Sequence, residues 1–190
     1  VMTDTDDSYF EDIYRLATDP WGFDTRWYEQ RKHALTIAAL PERRYRRGVE
    51  AGCANGALTT LLAERCDELY SFDIIDSVVE RAAHRLQPHP HVHVLQARLP
   101  EYWPSGTGDL VVWSEVAYYL SDVSADLAIL GLERWLDLSG TLVAVHYTGS
   151  TDYPRRGRDI APWLDHVHFL ERTTTLVDDD FELGVWRRCR

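Results

Sequence analysis

The chain has 190 residues, of which 45% are hydrophobic and 12% aromatic, so its composition is that of a folded globular domain and not of a disordered segment. Its formal net charge of -11 disfavours a nucleic-acid partner, because phosphate backbones are bound by basic surfaces. The three cysteines have no CxxC spacing, which argues against a disulfide framework and against a zinc site.

The sequence offers no segment that would place the chain in a membrane. Its apolar runs are shorter than a membrane span, and its first residues, VMTDTDDSYFED, are acidic where a signal peptide is basic and then apolar. We therefore expect a cytoplasmic protein, a monomer or homodimer, with neither membrane nor nucleic acid as a partner. Lys32 is the only lysine among the 20 basic residues, which we interpret as codon bias.

Two helical segments are predicted before the first strand. The first is a turn or two around residues 9–17. Asp19 and Pro20 then interrupt the chain, and Thr25 is a plausible N-cap for a second helix that runs to about residue 40. The stripe of this helix expected to pack against the protein consists of Trp27, Ala34, Leu35 and Ala38.

From residue 48 onward, short apolar runs alternate with helical segments. Runs such as DLVVWS and TLVAVHY are typical of parallel strands that are buried on both faces. Asp76 and Ser121 are plausible N-caps for two of the helices. The predicted strands are 48–51, 68–72, 91–96, 109–114 and 141–146, and the predicted helices are 57–65, 77–86 and 124–136.

The C-terminal residues change to a pattern of alternating apolar and polar side chains. HFLERTTTLV and FELGVWRRC flank the turn DDD, which predicts an antiparallel hairpin. The predicted fold is therefore α/β and doubly wound, with a mostly parallel seven-stranded sheet that ends in this hairpin. We expect a single domain over residues 1–190.

The stretch EAGCANG, from Glu50 to Gly56, follows the first predicted strand and precedes a helix. Gly52 allows a tight turn, and the small residues Ala54 and Gly56 allow a ligand to approach the main chain. Asp73 lies 17 residues beyond Gly56, at the end of the next strand, where a carboxylate can accept both hydroxyls of a ribose. The turn and the acid together predict an adenosine-type ligand.

Two features of the turn favour S-adenosylmethionine over a dinucleotide. A dinucleotide site would favour glycine at position 54, where the backbone meets the pyrophosphate, whereas this chain has Ala54. A carboxylate at Glu50 would repel a pyrophosphate but suits the cationic tail of S-adenosylmethionine. A nicotinamide-dependent oxidoreductase is the alternative that these two residues disfavour.

Several segments resemble the motifs of class I S-adenosylmethionine-dependent methyltransferases: VEAGCANGALTTLLAERC, YSFDII, DLVVWSEVAYYL and GTLVAVH. More narrowly, DPWGFDTRWYEQRKHALTIAALP, the glycine turn, LPEYWP and SEVAYYL are similar to nodulation protein S and its relatives, bacterial N-methyltransferases that act on an amino sugar of a chitooligosaccharide. The resemblance covers roughly residues 19–150. It implies a Rossmann-like methyltransferase fold, S-adenosyl-L-methionine as cofactor with S-adenosyl-L-homocysteine as product, and methyl transfer to an amine of a small, sugar-like acceptor.

The resemblance also implies roles for residues around the turn. The turn would hold the methionine part and Asp73 the ribose, with Ile74 against the adenine. Arg98 departs from the family pattern, because an acid usually stands there to accept from the adenine amino group; the backbone of Leu99 or the guanidinium plane would have to serve instead. The predicted cofactor contacts are Trp21, Tyr28, Arg31, Glu50, Gly52, Cys53, Ala54, Gly56, Asp73, Ile74, Arg98, Leu99 and Ser114.

Three residues near strand ends are candidates for catalysis. Glu115 follows the predicted strand 109–114 and could steer a cationic amine or accept its proton. Tyr118 offers a ring face to a sulfonium or a methylammonium, although it could also be a core residue. His146 ends the strand 141–146, and its ordinary pKa of about 6.5 suits a general base; the alternative is a structural histidine hydrogen-bonded under the following loop.

Residues 1–40 are expected to form a helical flap over the cofactor. The aromatic residues Trp21 and Tyr28 would close over the ligand, and Arg31 could pair with the methionine carboxylate. No metal is expected, because His91 and His93 lack further ligands nearby and DDD lacks the other features of a calcium loop. The remaining alternatives are an O-methyltransferase of a hydroxylated metabolite with His146 as base, and a non-catalytic cofactor-binding partner protein.

Overall fold

The structure, a computed structural model, describes residues 3–190, and these residues form six α-helices, seven strands and one short 3₁₀ helix. In chain order the elements are α1 (Asp7–Leu16), α2 (Trp27–Ala39), β1 (Tyr45–Ala51), α3 (Ala57–Ala63), β2 (Cys66–Asp73), α4 (Asp76–Arg85), β3 (Val92–Gln96), β4 (Gly108–Ser114), the 3₁₀ helix (Ala117–Tyr119), α5 (Asp122–Trp135), β5 (Leu136–Tyr147), α6 (Gly157–Asp165), β6 (Leu170–Val177) and β7 (Phe181–Arg188).

The seven strands form one sheet in the order β3-β2-β1-β4-β5-β7-β6. Strands β1 to β5 are parallel to one another, and β7 runs antiparallel to both β5 and β6. This confirms the predicted doubly wound sheet with a C-terminal hairpin. The strand order reverses between β1 and β4, and ligands of such sheets bind at the carboxyl ends of the strands that flank this point.

Both faces of the sheet are buried at its centre, which explains why β4 and the second half of β5 are nearly continuous apolar runs. Successive residues of a strand point to opposite faces. In β4, Val111 and Trp113 pack in one apolar cluster with Trp135 and Phe169, whereas Leu110 and Val112 pack in the other cluster with Leu62 and Phe181. The two clusters hold β1 and β4 rigidly, so the loops that follow these strands start from fixed positions.

Helix α2 differs from its prediction in the face that it buries. Trp27, expected to pack, is 73% exposed, and Ala34 and Ala38 are also exposed. The buried positions are polar and follow helical spacing, namely Glu29, Lys32, His33 and Thr36. A buried polar stripe on a helix is unusual, because burying such groups without partners is costly. Helix α2 therefore turns two sides to the protein: Leu35 packs against an apolar cluster as predicted, whereas the polar stripe faces something other than that core.

Smaller differences concern helix boundaries. Ser121 caps α5 as predicted, accepting a hydrogen bond from the Ser124 N–H at 3.3 Å, but Asp76 is the first residue of α4 and Ile75 is its N-cap. Helix α6 has no counterpart among the predicted elements, because Pro162 lies inside it and proline normally argues against a helix. Within the described part of the chain, every helix is too short or too polar to cross a membrane.

Candidate active site

A cavity of about 560 Å³ lies at the carboxyl ends of β1 and β4, where the strand order reverses. Its size is within the range of about 300–1,000 Å³ that is typical of small-molecule sites. The loops after β1, β2 and β4 form its floor, and residues of α1, α2 and the segment between them contribute a wall. The buried polar stripe of α2 faces this cavity, since Glu29, Lys32 and His33 line it.

The loop after β1 brings main chain to the cavity through a series of left-handed residues. Gly52, Ala54 and Gly56 have φ values of 73°, 46° and 80°. This conformation is free for glycine but strained for alanine, and such strain persists at sites where the surrounding structure imposes it. The loop thus forms the expected backbone hollow, and it ends at Gly56, the N-cap of α3.

Asp73, at the end of β2, lies beside this hollow. Its Oδ2 accepts a hydrogen bond from the Ala54 N–H at 3.0 Å, and its Oδ1 accepts one from the Ile75 N–H at 3.2 Å. Burial raises the pKa of Asp73, although these backbone N–H groups oppose the rise. Each carboxylate oxygen retains a second lone pair, so a diol in the cavity could still donate to this side chain.

Glu50 lies beneath the hollow and is 1% exposed. Its Oε2 accepts hydrogen bonds from the Thr59 hydroxyl at 2.6 Å and from the Ser71 hydroxyl at 2.8 Å. Burial raises the pKa of Glu50 to about 7 against the lowering effect of these hydroxyls. Glu50 lines the cavity as predicted, but its pKa makes it a partly protonated group near neutrality and not a permanent charge.

Most of the other predicted cofactor contacts also line the cavity. Arg31 does not, because its guanidinium pairs with Asp178 of the C-terminal hairpin at 2.6 Å, so the expected contact with a methionine carboxylate does not fit its position. Gly56 is likewise outside the lining and acts as a helix cap. The predicted residues that line the cavity are Trp21, Tyr28, Glu50, Gly52, Cys53, Ala54, Asp73, Ile74, Arg98, Leu99 and Ser114.

The N-terminal segment is tied to the rim of the cavity. Asp4 accepts a hydrogen bond from the Ser121 N–H at 2.7 Å, and the Thr5 N–H donates to the Tyr119 carbonyl at 2.9 Å. Arg98, the residue that departs from the family pattern, pairs with Asp7 at the start of α1. The sequence alone could not predict this pairing, because 91 residues separate the two partners.

Glu115 occupies the loop after β4 and has a left-handed φ of 56°. Its Oε2 accepts hydrogen bonds from the Tyr118 hydroxyl at 2.6 Å and the Tyr147 N–H at 2.9 Å, and its Oε1 accepts one from Lys32 Nζ at 2.6 Å. Burial alone would raise the pKa of Glu115, but the Lys32 ammonium and these hydrogen bonds hold it below its ordinary value. Glu115 is therefore an ionised and oriented carboxylate.

Tyr118 lines the cavity while it also packs into the core, since it is only 5% exposed. Its ring lies 5.0 Å from that of Tyr153 in a stacked pair, and 5.1 Å from that of His146 edge to face. The hydroxyl is held by Glu115. Tyr118 is thus a packed residue that also borders the cavity, and its contact with a ligand stays a prediction.

The expectation of a general base at His146 does not fit the structure. His146 is 2% exposed, lies outside the cavity lining, and accepts a hydrogen bond at Nε2 from the Ala117 N–H at 3.1 Å. Burial lowers the pKa of His146 to about 4. The histidine is a neutral structural group, but it holds the 3₁₀ helix after β4 and not, as the alternative had it, the loop that follows its own strand.

Among residues 3–190, no group of three or more histidine, cysteine, aspartate or glutamate side chains is arranged to hold a metal ion. The histidines that suggested a metal pair have other partners. His91 Nε2 lies 2.9 Å from the Ala63 carbonyl oxygen, and the His93 ring stacks on Tyr70 at 4.7 Å.

The strand order, with a cavity at its switch point and a carboxylate at the end of β2, is that of the class I S-adenosylmethionine-dependent methyltransferase fold. The family model described as nodulation protein S (NodS) matches residues 11–143. The chain therefore belongs to the nodulation protein S family.

Curated relatives agree with this assignment. Nodulation protein S of Rhizobium tropici is 31% identical over 129 residues, which are 67% of this chain and 54% of the relative. Nodulation protein S of Sinorhizobium fredii is 33% identical over 129 residues, or 67% of this chain and 60% of the relative. These alignments thus span 54% to 60% of the length of the two relatives.

Solved structures show the same fold. A proposed methyltransferase from Pseudomonas syringae is 42% identical, with a TM-score of 0.76, and the match covers 86% of this chain and all (100%) of that one. The N-methyltransferase NodS from Bradyrhizobium japonicum WM9, solved in complex with S-adenosyl-L-homocysteine, is 24% identical with a TM-score of 0.80 and covers 97% of this chain and 100% of that one. At 24% identity, the match to the Bradyrhizobium japonicum structure shows only that the two proteins share a fold.

Proposed function

We propose that this protein is an N-methyltransferase that transfers a methyl group from S-adenosylmethionine to an amine of a small, sugar-like acceptor. The observation that carries the proposal is one cavity with two differently built ends. One end is the backbone hollow with Asp73, and the other is the ionised carboxylate of Glu115 beside Tyr118. Membership of the nodulation protein S family supports it.

The residues at the hollow fit S-adenosylmethionine better than a dinucleotide. Seven acidic side chains line the cavity against three that are lysine or arginine, which opposes a diphosphate and favours a cationic ligand. Asp73 would accept the ribose hydroxyls, Ile74 would contact the adenine, and the main chain around Gly52 and Ala54 would hold the methionine part. When bound, S-adenosylmethionine supplies a methyl group already activated by its sulfonium.

The protein's own contribution is then alignment, charge and exclusion of water. Glu115 is fixed by three hydrogen bonds and would orient a cationic acceptor, while the Tyr118 ring would face the positive charge. Residues 1–40 would serve as a flap within a single domain, since Asp4, Thr5 and Asp7 anchor α1 at the rim. Both ends of the cavity come from one chain, so either a monomer or a homodimer is compatible with the proposal.

The structure disfavours two of the three alternative functions, and turnover measurements decide the third, a non-catalytic cofactor-binding protein. O-methylation with His146 as base is disfavoured, because that nitrogen already accepts a backbone hydrogen bond outside the cavity. A nicotinamide-dependent oxidoreductase is disfavoured by the acidic lining, which opposes the diphosphate of its cofactor.

Two measurements test the proposal. Calorimetry should show binding of S-adenosylhomocysteine and none of NAD. Mass spectrometry after incubation with S-adenosylmethionine should show one added methyl on glucosamine and none on N-acetylglucosamine, which has the same hydroxyls without the free amine. Binding of NAD, methylation of both sugars at a hydroxyl, or cofactor binding without turnover on any amine in a panel would each contradict the proposal.

A further inference from the structure

The position of the sole lysine is not explained by codon bias. The other 19 of the 20 basic residues are arginine, and Lys32 alone is lysine. Lys32 is 2% exposed and lines the cavity from the buried stripe of α2. A chain that uses arginine everywhere else keeps an ammonium at the one buried cationic position of its candidate active site.

The surroundings of Lys32 suit an ammonium and not a guanidinium. Nζ donates to Glu115 Oε1 at 2.6 Å, lies 3.0 Å from Glu29 Oε2, and sits 4.8 Å from the centroid of the Tyr28 ring. One hydrogen bond, one ion pair and one ring face around a single nitrogen match a compact ammonium, whereas the larger planar guanidinium of arginine would need a different arrangement.

The network of Glu29, Lys32 and Glu115 carries a net charge of -1 when all three groups are ionised, because two carboxylates face one ammonium. The neighbouring His33 does not compensate, since burial lowers its pKa to about 4 and leaves it neutral. Arg26 also lowers the pKa of Glu29, but Arg26 is exposed, so water screens its charge. A buried charge without a full set of counter-charges is costly, and a cationic group that entered the cavity would balance it.

Two buried oxygen atoms in the same wall have no hydrogen-bond partner among residues 3–190, namely Glu29 Oε2 and the Tyr28 hydroxyl. Glu29 Oε2 is in an ion pair with Lys32 Nζ at 3.0 Å, which leaves at least one of its lone pairs without a donor. By contrast, Glu115 already accepts three hydrogen bonds. Buried polar atoms are normally satisfied, so these two point to a ligand with hydrogen-bond donors.

We propose that Glu29 accepts the proton of the acceptor amine, and that Lys32 is the positioning residue that holds Glu29 and Glu115 for this step. The inference rests on the proposed N-methyltransferase function. The acceptor ammonium would give one proton to the Glu29 carboxylate, which takes the network from -1 to neutral. The amine nitrogen then bonds to the methyl carbon with its freed lone pair, while the carbon–sulfur bond breaks and leaves its electron pair on sulfur.

The charges around Glu29 agree with this division of roles. The charged groups that face Glu29 are Arg26 and Lys32 from α2 and Glu115 from the loop after β4. Burial raises the pKa of Glu29 despite Lys32, whereas the pKa of Glu115 is held low. When two neighbouring carboxylates have pKa values pushed apart in this way, the one with the higher pKa is the better proton acceptor.

The sole lysine allows a test that needs no turnover. Protein labelled with ¹³Cε-lysine should give a single side-chain NMR signal, that of Lys32. In the presence of saturating S-adenosylhomocysteine, we expect glucosamine to shift this signal and N-acetylglucosamine to leave it in place. Equal shifts from both sugars, or no shift from glucosamine at a concentration at which the wild type methylates it, would place the acceptor amine away from the network and overturn the proposal.

The pH dependence of kcat/KM for glucosamine methylation separates a catalytic network from a structural one. Glu29→Gln leaves Lys32 paired with Glu115, so the variant should fold. We expect it to lose the acid limb, which is the fall of kcat/KM at low pH, and to have a kcat lower on the order of 10²–10⁴-fold. Lys32→Met should move the acid limb to higher pH, because it removes the cation that lowers the pKa of Glu29. Glu115→Gln should move the limb to lower pH, because it removes a like charge.

Arg187→Met is the matched control, since Arg187 pairs with Glu171 on the exposed hairpin outside the cavity. It should leave the limb unmoved. If the wild type methylates glucosamine but Glu29→Gln keeps both its rate and its acid limb, the assignment of Glu29 falls while the proposed function stands. If the wild type binds S-adenosylhomocysteine but methylates no amine, the proposed function itself has failed.

Discussion

Replacing Asp73 with asparagine tests the cofactor end of the cavity, because it removes a charge while it keeps the shape of the side chain. In the structure each Asp73 oxygen accepts one backbone N–H and keeps one lone pair for the ligand. A hydrogen bond to a charged acceptor contributes about 1.5–3 kcal/mol. Asparagine retains one acceptor oxygen, so we expect a loss of about 2–3 kcal/mol, or about 30- to 150-fold in the Kd of S-adenosylhomocysteine.

Calorimetry at pH 8 with two ligands makes this test specific to the ribose. The 2′-deoxy analogue of S-adenosylhomocysteine should bind the wild type more weakly than the parent ligand does, and the difference should shrink in Asp73→Asn. Asp67→Asn is the matched control on the same strand, because Asp67 is exposed and pairs with Arg44 away from the cavity. An equal penalty for the analogue in wild type and Asp73→Asn would refute a contact between Asp73 and the ribose.

Three further predictions concern the floor, the flap and the support of the site. The folded pKa of Glu50 is about 7 against 4.5 in the unfolded chain, so wild type should lose roughly 2.5 kcal/mol of stability relative to Glu50→Gln as the pH rises from 5 to 8. Urea titrations at several pH values measure this difference, and a constant difference would contradict the raised pKa. Deletion of residues 1–24 should weaken S-adenosylhomocysteine binding severalfold in calorimetry, and unchanged affinity would refute the flap. His146→Phe leaves the buried Ala117 N–H unpaired, so it should lower the unfolding free energy by about 1–3 kcal/mol. The acid limb of the kcat/KM profile should stay at the same pH; a shift of this limb would indicate that His146 acts as a base after all.

The sequence predicted those parts of the structure that local patterns determine. Strand β4 is a continuous apolar run because both of its faces are buried. The hairpin was predicted from its alternating sequence, although in the structure the edge strand β6 is mostly exposed and β7, between β5 and β6, has four consecutive buried residues. The hollow after β1 was predictable for a similar reason, since the main chain can approach a ligand only through small residues. The position of Asp73 beside the hollow was predictable because β2 ends at this residue and runs parallel to β1.

The sequence could not predict contacts between distant segments. Lys32 and Glu115 are 83 residues apart, and their pairing depends on how α2 is rotated against the end of β4. The same rotation exposes Trp27 and turns Arg31 toward the hairpin. One local signal was available, because glutamate and lysine at positions 29 and 32 are three residues apart on a helix and therefore share one face.

A crystal structure with S-adenosylhomocysteine bound would test the central claim most directly. We predict that the ribose hydroxyls lie within hydrogen-bond distance of Asp73, that the methionine part lies along the main chain of Gly52 and Ala54, and that the sulfur faces Glu115 across the cavity. A ligand whose ribose lies away from Asp73, or a dinucleotide whose diphosphate crosses the hollow, would contradict it.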